Sequence, residues 1–204
     1  MTSFLTEWGG KILFTLIFFL PAYLANMFPV IFLKTSFLVN LRKPIDMGRK
    51  WHGKRVLGDN KTFYGIVTAV IGGAIGAPLA VFIFYSADGG LVNLLNTEFW
   101  HLVWYFITLL FIGGYVGLGA IMGDIIKSFF KRRMGIAPGK PLIFFDQVDF
   151  IIGAWVAIMF LEWLLNVQSG IDWQILLISL IITPLLHLGA NYIAFRLKWK
   201  KVWW

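Results

Sequence analysis

Two short stretches carry most of this chain's capacity for polar chemistry. In one, Asp124, Lys127, Ser128 and Lys131 stand at positions i, i+3, i+4 and i+7. A helix through them presents a carboxylate, two ammoniums and a hydroxyl on one face, while Ile125, Phe129 and Phe130 turn elsewhere. Arg132 and Arg133 follow, and Gly135, Pro138, Gly139 and Pro141 end that helix. The chain returns through Asp146 and Asp149, three apart at the start of another apolar run, a spacing that can point two carboxylates at one spot. The other stretch is GDNKTFYG, from Gly58 to Gly65. Gly58 and the Asp59-Asn60 pair suit a turn, Lys61 supplies a point charge, and Thr62 can cap the next helix, whose first backbone amides complete an anion cradle. The Walker pattern GxxxxGK[ST] is absent.

Each piece has an ordinary reading. Loop lysines contact lipid headgroups, and carboxylates at a helix N-terminus complement its dipole. In combination, Asp124, Asp146 and Asp149 with at least five cations and glycine turns suit a hard divalent cation holding phosphates, since Mg²⁺ is bound through one or two carboxylates plus substrate phosphates. The chain has no Cys, which excludes thiolate metal sites, Cys nucleophiles, disulfide scaffolds and CxxC redox chemistry.

The elements that must position these residues are membrane helices. Of 204 residues, 59% are hydrophobic and 14% charged, against about 25% charged in soluble domains. An ordinary water-soluble globule and a disordered chain are both excluded. Five apolar stretches reach the roughly 20 residues that span a bilayer: about 11–33, 63–85, 99–121, 148–165 and 173–195. The first is too long for a cleaved signal peptide and is interrupted by Pro21 and Pro29, so it is expected as a proline-kinked helix. The expected fold is a single-domain, all-α integral membrane protein over 1–204.

Seventeen of the 18 Lys and Arg residues fall in 34–62, 122–147 or the tail after 195; only Lys11 lies on the other side. The positive-inside tendency therefore predicts an outer N-terminus, a cytoplasmic C-terminus and two long cytoplasmic loops, 34–62 and 122–147, that form the site. Asp46, Asp59, Asp124, Asp146 and Asp149 share those loops, and charge sorting does not require them there. The net charge of +8 points to anionic lipid or an anionic ligand, with no nucleic-acid partner expected. A homodimer stays open. GxxxG spacings at Gly72/Gly76, Gly113/Gly117 and Gly119/Gly123 predict close helix contacts. Asn26, His187 and Asn191 place polar groups inside spans, where satisfying proline-freed backbone groups is the plainer role. KWKKVWW at the C-terminus is expected as an interfacial anchor.

SFFKRR followed by DQVD resembles the signature of CDP-diacylglycerol synthases, in which a Ser, a Lys-Arg pair and a downstream Asp-Arg-x-Asp face the cytosol. KTFYG, with Gly72 and Gly73 after it, looks like that superfamily's second conserved stretch. The short chain, its five helices, AYLANMFP, and RKPIDMG with RVLGDNKT are more similar still to its archaeal branch, the CDP-archaeol synthases. PLIFF stands where bacterial members have His-Gly-Gly, and Gln147 where they have Arg.

The resemblance implies cytidylyl transfer at the cell membrane: CTP and 2,3-bis-O-geranylgeranyl-sn-glycerol 1-phosphate give CDP-archaeol and pyrophosphate. On it, Asp124, Lys131, Arg132, Asp146 and Asp149 are the catalytic residues. Asn26, Gly58, Asp59, Asn60, Lys61, Thr62, Lys127 and Ser128 bind CTP and the lipid phosphate, and Asp124, Asp146 and Asp149 hold one or two Mg²⁺. Such chemistry needs positioning and charge neutralisation rather than a histidine base, so it assigns no role to His52, His101 or His187. A CTP-dependent prenol kinase and a lipid or anion transporter are the competing classes. The DGxxAR and GxxxDxxxD stretches of CDP-alcohol transferases are absent.

Overall fold

The computed structural model describes residues 2–88, 90, 92, 94, 96–137, 140, 142 and 145–198. Pro138, Gly139, Pro141 and the anchor from Trp199 onward lie outside them. The helices are α1 (Thr2–Phe18), α2 (Leu20–Ile31), α3 (Phe63–Asp88), α4 (Phe99–Arg133), α5 (Phe145–Leu165) and α6 (Trp173–Arg196). Four of these are long and apolar enough to cross a membrane, and α1 with α2 makes a fifth span if the bent pair is one. The outward faces are apolar, with Phe111 76%, Trp163 75% and Ile181 66% exposed, which is how helices meet lipid rather than water.

The expected proline kink is a break. Glu7–Phe18 and Leu20–Ile31 meet at 47°, and Pro21 lies in the first turn of α2, where its missing N–H costs no hydrogen bond. Past the break, small residues bring the helices together. A Cβ on Gly72 would meet the Leu24 backbone carbonyl at 2.6 Å, and one on Gly76 would meet the Pro21 Cα at 2.6 Å. A Cβ on Gly73 would run into the Gly113 carbonyl oxygen, and one on Gly123 into the Asp149 carbonyl oxygen. All three GxxxG expectations are therefore met as backbone-to-backbone approaches. The core that results joins Phe19, Ala22 and Ala25 with Ala69, Val116 and Ala120, and with Phe150, Ile151 and Ala154 of α5.

Two features beyond the apolar spans matter for the site, the first being the helix expected through Asp124 and Lys131. Helix α4 runs 35 residues without interruption, so its charged stretch is helical and continuous with the membrane span. It stops at Gly135 (φ 77°), with Ile136 N–H donating to the Lys131 carbonyl, a left-handed glycine termination. The segment before α3 holds the single strand pair among the described residues: β1 (Lys50–Trp51) and β2 (Lys54–Arg55), antiparallel. Both turn residues, His52 and Gly53, have positive φ, as a tight hairpin turn requires. Arg133 fastens this hairpin to the end of α4, donating to the carbonyls of Trp51, Lys54 and Arg55. Its guanidinium lies over the Trp51 and Phe129 rings.

Candidate active site

Six charged residues from three elements meet at one end of the bundle. The close passage of Gly123 over the Asp149 carbonyl sets Asp124 of α4 beside the first turns of α5. Lys127 is at the centre. Its Nζ lies 3.1 Å from Asp124 Oδ1, 2.9 Å from Asp146 Oδ1 and 2.6 Å from Asp149 Oδ2, the last a charge contact outside hydrogen-bond alignment. Lys61, from the segment ahead of α3, donates to Asp124 Oδ2 at 2.6 Å. Lys131 donates to both Asp146 oxygens at 3.0 Å and to the Lys140 carbonyl at 2.7 Å. Three carboxylates thus face three ammoniums.

Arg132 adds a fourth cation with a different status. It is 6% exposed, and among the described residues its Nε and Nη1 have no hydrogen-bond partner. Burying a guanidinium with open donors is costly unless an anion completes it. Against the ion cluster lies an apolar groove of about 690 Å³ between α4 and α5. It extends from Tyr115 to Met134 along α4, about 28 Å of helix. Its walls include Ile126, Phe130, Ile152 and Phe160, and Lys127 and Asp149 are the charged residues among them.

A fourth carboxylate, Asp46, organises the loop that delivers Lys61. It is 6% exposed and accepts from the amides of Gly48, Leu57 and Gly58 and from Arg55 Nε and Nη2, at 2.7–3.2 Å. The Arg55 hydrogen bonds, with those of the amides, hold its carboxyl well below the usual carboxylate range against the opposing effect of burial. Asp46 first and Asp59 second keep the Arg55 guanidinium charged beyond its ordinary range. Ile45 N–H to the Lys61 carbonyl (2.8 Å) closes the loop at its base. No spacing in the sequence announces Asp46: the Gly48 amide is local, but those of Leu57 and Gly58 lie 11 and 12 residues away in irregular chain.

The expected site residues divide accordingly. Lys61, Asp124, Lys127, Lys131, Asp146 and Asp149 come together. The Ser128 hydroxyl donates to the Leu57 carbonyl at 3.1 Å, which pins the loop to α4. Gly58 (φ 109°) turns the chain with its amide on Asp46. Thr62 caps α3, accepting from Gly65 N–H at 3.1 Å. Asp59 and Asn60 are exposed, and Asp59 pairs with Arg55 at 2.8 Å rather than with the cluster. Asn26 is half-buried on α2, one turn beyond Tyr23, whose ring packs 6.0 Å from that of Phe150.

Hard oxygen donors of this kind fit Mg²⁺ in chemistry. In position they do not form a ready ligand set: among the described residues no group of three carboxylates or histidines stands in metal-holding arrangement. The point on which the three Asp oxygens converge is taken by the Lys127 ammonium.

Residues 10–204 match the CarS-like CDP-archaeol synthase family. The chain belongs to that family. It is accordingly an enzyme, a cytidylyltransferase. The CDP-archaeol synthase of Methanospirillum hungatei is 36% identical over 188 residues, 91% of this chain and 99% of that one. That of Thermococcus onnurineus is 36% identical over 196 residues, 96% and 98% of the two chains. Among solved structures, an intramembrane enzyme for archaeal membrane lipid biosynthesis superposes with a TM-score of 0.63 at 30% identity, covering 86% of this chain and 91% of that one. These agree with the family resemblance of the sequence and with a multi-pass membrane enzyme.

Proposed function

We propose that this chain transfers CMP from CTP to 2,3-bis-O-geranylgeranyl-sn-glycerol 1-phosphate, giving CDP-archaeol and pyrophosphate, with Mg²⁺ as cofactor. The observation that carries this reading is that Lys127 and Asp149 belong both to the ion cluster and to the wall of the apolar groove. A phosphate on a prenyl-chain lipid is the kind of molecule that would use both surfaces at once.

A lipid phosphate monoester is mostly dianionic at neutral pH, its second pKa being near 6, so its oxygen attacks the α-phosphorus of CTP without a side-chain base. The new P–O bond forms as the bond between the α-phosphorus and the bridging oxygen breaks, and pyrophosphate leaves with that electron pair. What the protein supplies is alignment and positive charge where negative charge gathers. Arg132, with two buried open donors, and Lys131 suit the triphosphate and the departing pyrophosphate. Lys61 and Lys127 stand next to the carboxylates. Asp124, Asp146 and Asp149 would hold Mg²⁺, which when bound neutralises and orients phosphate oxygens. The prenyl chains lie in the groove, so the phosphate need not leave the membrane surface.

Product analysis with labelled CTP tests the reaction. Label from the α-phosphate is expected in lipid; label from the γ-phosphate instead would identify a lipid kinase, and none in lipid would favour transport. A cytoplasmic site, with the N-terminus outside, follows from the Lys and Arg partition. Cys placed at Asn60 or Lys140 is expected to resist an impermeant thiol reagent in intact cells, and Cys at Asp88 or Ser169 to react. The native chain has no Cys background, and reversed labelling would place the site on the side away from CTP.

A further inference from the structure

We propose that Lys127 is a movable internal counter-ion: it neutralises the three site carboxylates when no metal is bound and yields their centre to the metal only as the nucleotide arrives. The inference deepens the cytidylyl-transfer reading and rests on it. Its first support is position. A single ammonium lies 2.6–3.1 Å from Asp124, Asp146 and Asp149, at the point where their oxygens would otherwise meet a shared cation.

Charge gives the second. Lys61, Lys127 and Lys131 match the three carboxylates one for one, the buried Arg132 is a further cation beside them, and Lys127 is 14% and Asp149 7% exposed. A divalent ion added to carboxylates already matched by lysines brings two uncompensated charges, and at low dielectric such an excess is expensive. Departure of the Lys127 ammonium removes one charge, and phosphate oxygens remove the rest. Metal and nucleotide should therefore bind cooperatively, by a coupling that is reciprocal.

Mobility gives the third. The carboxylates sit on helices locked by the Gly123–Asp149 backbone contact, whereas Lys127 has a flexible four-carbon stem. It is also a wall residue of the groove, so on leaving the carboxylates its ammonium moves toward the phosphate of a groove-bound lipid. Lys61 and Lys131 are tied elsewhere, to a closed loop and to the Lys140 carbonyl.

The test uses full-length protein in detergent with Mn²⁺ as probe, free Mn²⁺ being read by electron paramagnetic resonance. Without nucleotide, Lys127→Met is expected to bind Mn²⁺ at least tenfold more tightly than wild type, and CTP should raise Mn²⁺ affinity less in the variant. Asp149→Asn should weaken binding in both backgrounds. Equal or weaker Mn²⁺ binding by folded Lys127→Met overturns the proposal. If that variant does not fold, wild type suffices: acetylation of Lys127 by a water-soluble reagent, followed by mass spectrometry, should rise several-fold on adding Mn²⁺ together with CTP and little on adding Mn²⁺ alone. An unchanged rate overturns it equally. Wild type that transfers no α-phosphate label from CTP to lipid would remove the cytidylyl reading while leaving the Mn²⁺ comparison intact.

Discussion

Asp46 and Asp149 are both buried aspartates at the same end of the bundle, each facing cations, yet they are built for opposite purposes. Asp46 has a full set of fixed partners: three backbone amides and a two-toothed Arg55. Those donors cannot leave without unmaking the loop. Asp149 shares the ammonium of Lys127 with two other carboxylates, and that partner can be exchanged. Buried charge satisfied by backbone is scaffold; buried charge satisfied by a flexible lysine is available for chemistry. The partners rather than the degree of burial make the difference.

The largest expected effect comes from breaking the exchangeable cluster. Asp146→Asn or Asp149→Asn should lower turnover by at least 10²-fold, as expected for losing an electrostatic interaction worth roughly 3 kcal/mol in the transition state, while the protein still inserts and purifies. Near-normal rates at saturating Mg²⁺ would return both residues to helix capping. Cations offer a smaller, sharper contrast. Lys131→Gln and Arg132→Gln should each reduce kcat about tenfold or more at saturating CTP and lipid phosphate. The pair Lys200→Gln with Lys201→Gln, in a tail outside the described residues, should leave turnover in detergent unchanged. An equal effect from both pairs would make the inner basic cluster a lipid-binding surface.

Asp46→Asn is expected to act on stability more than on rate, by about 1–3 kcal/mol, because an amide leaves Arg55 with only the exposed Asp59 as a carboxylate partner and some buried amides open. A depressed carboxyl contributes stability that is complete above its unfolded value, about 3.9, and fades as pH falls toward the lower folded value. The gap in melting temperature between wild type and Asp46→Asn should therefore stay constant from pH 7 to about pH 5 and close below about pH 4. A gap already closing at pH 6 would mean that another group carries the effect.

What the sequence made legible follows from what repeats in it. Apolar runs of 20 residues, the GxxxG pairs and the charged face at 124, 127, 128 and 131 are periodic, and the helices obey that period. Lys61 and Asp124 lie 63 positions apart and were placed in one site by chemistry and family resemblance rather than by pattern. The Asp46 knot was invisible because its partners occupy a loop with no period. The central position of Lys127 was invisible too, since it depends on how closely Gly123 lets α5 approach. Asp59 and Asn60 belonged to a turn motif, and the structure uses them as one.

The unbroken course of α4 makes the charged end of the molecule answer to the bilayer. Its 35 residues form a shaft of about 52 Å, clasped at Gly113 and Gly117 by α3 and carrying Asp124, Lys127, Lys131 and Arg132 beyond that clasp. Lys131 stands 14 residues past Gly117, a lever arm of about 21 Å. Membrane helices meet a thicker or thinner bilayer partly by tilting, and a tilt of about 5° about the clasp carries the far end sideways by about 2 Å. With no hinge between the clasp and the site, and with Gly123 locked against the Asp149 carbonyl, the charges of α4 and α5 move as one with the shaft, and the thickness of the surrounding lipid becomes a mechanical input to where that cluster stands relative to the membrane surface.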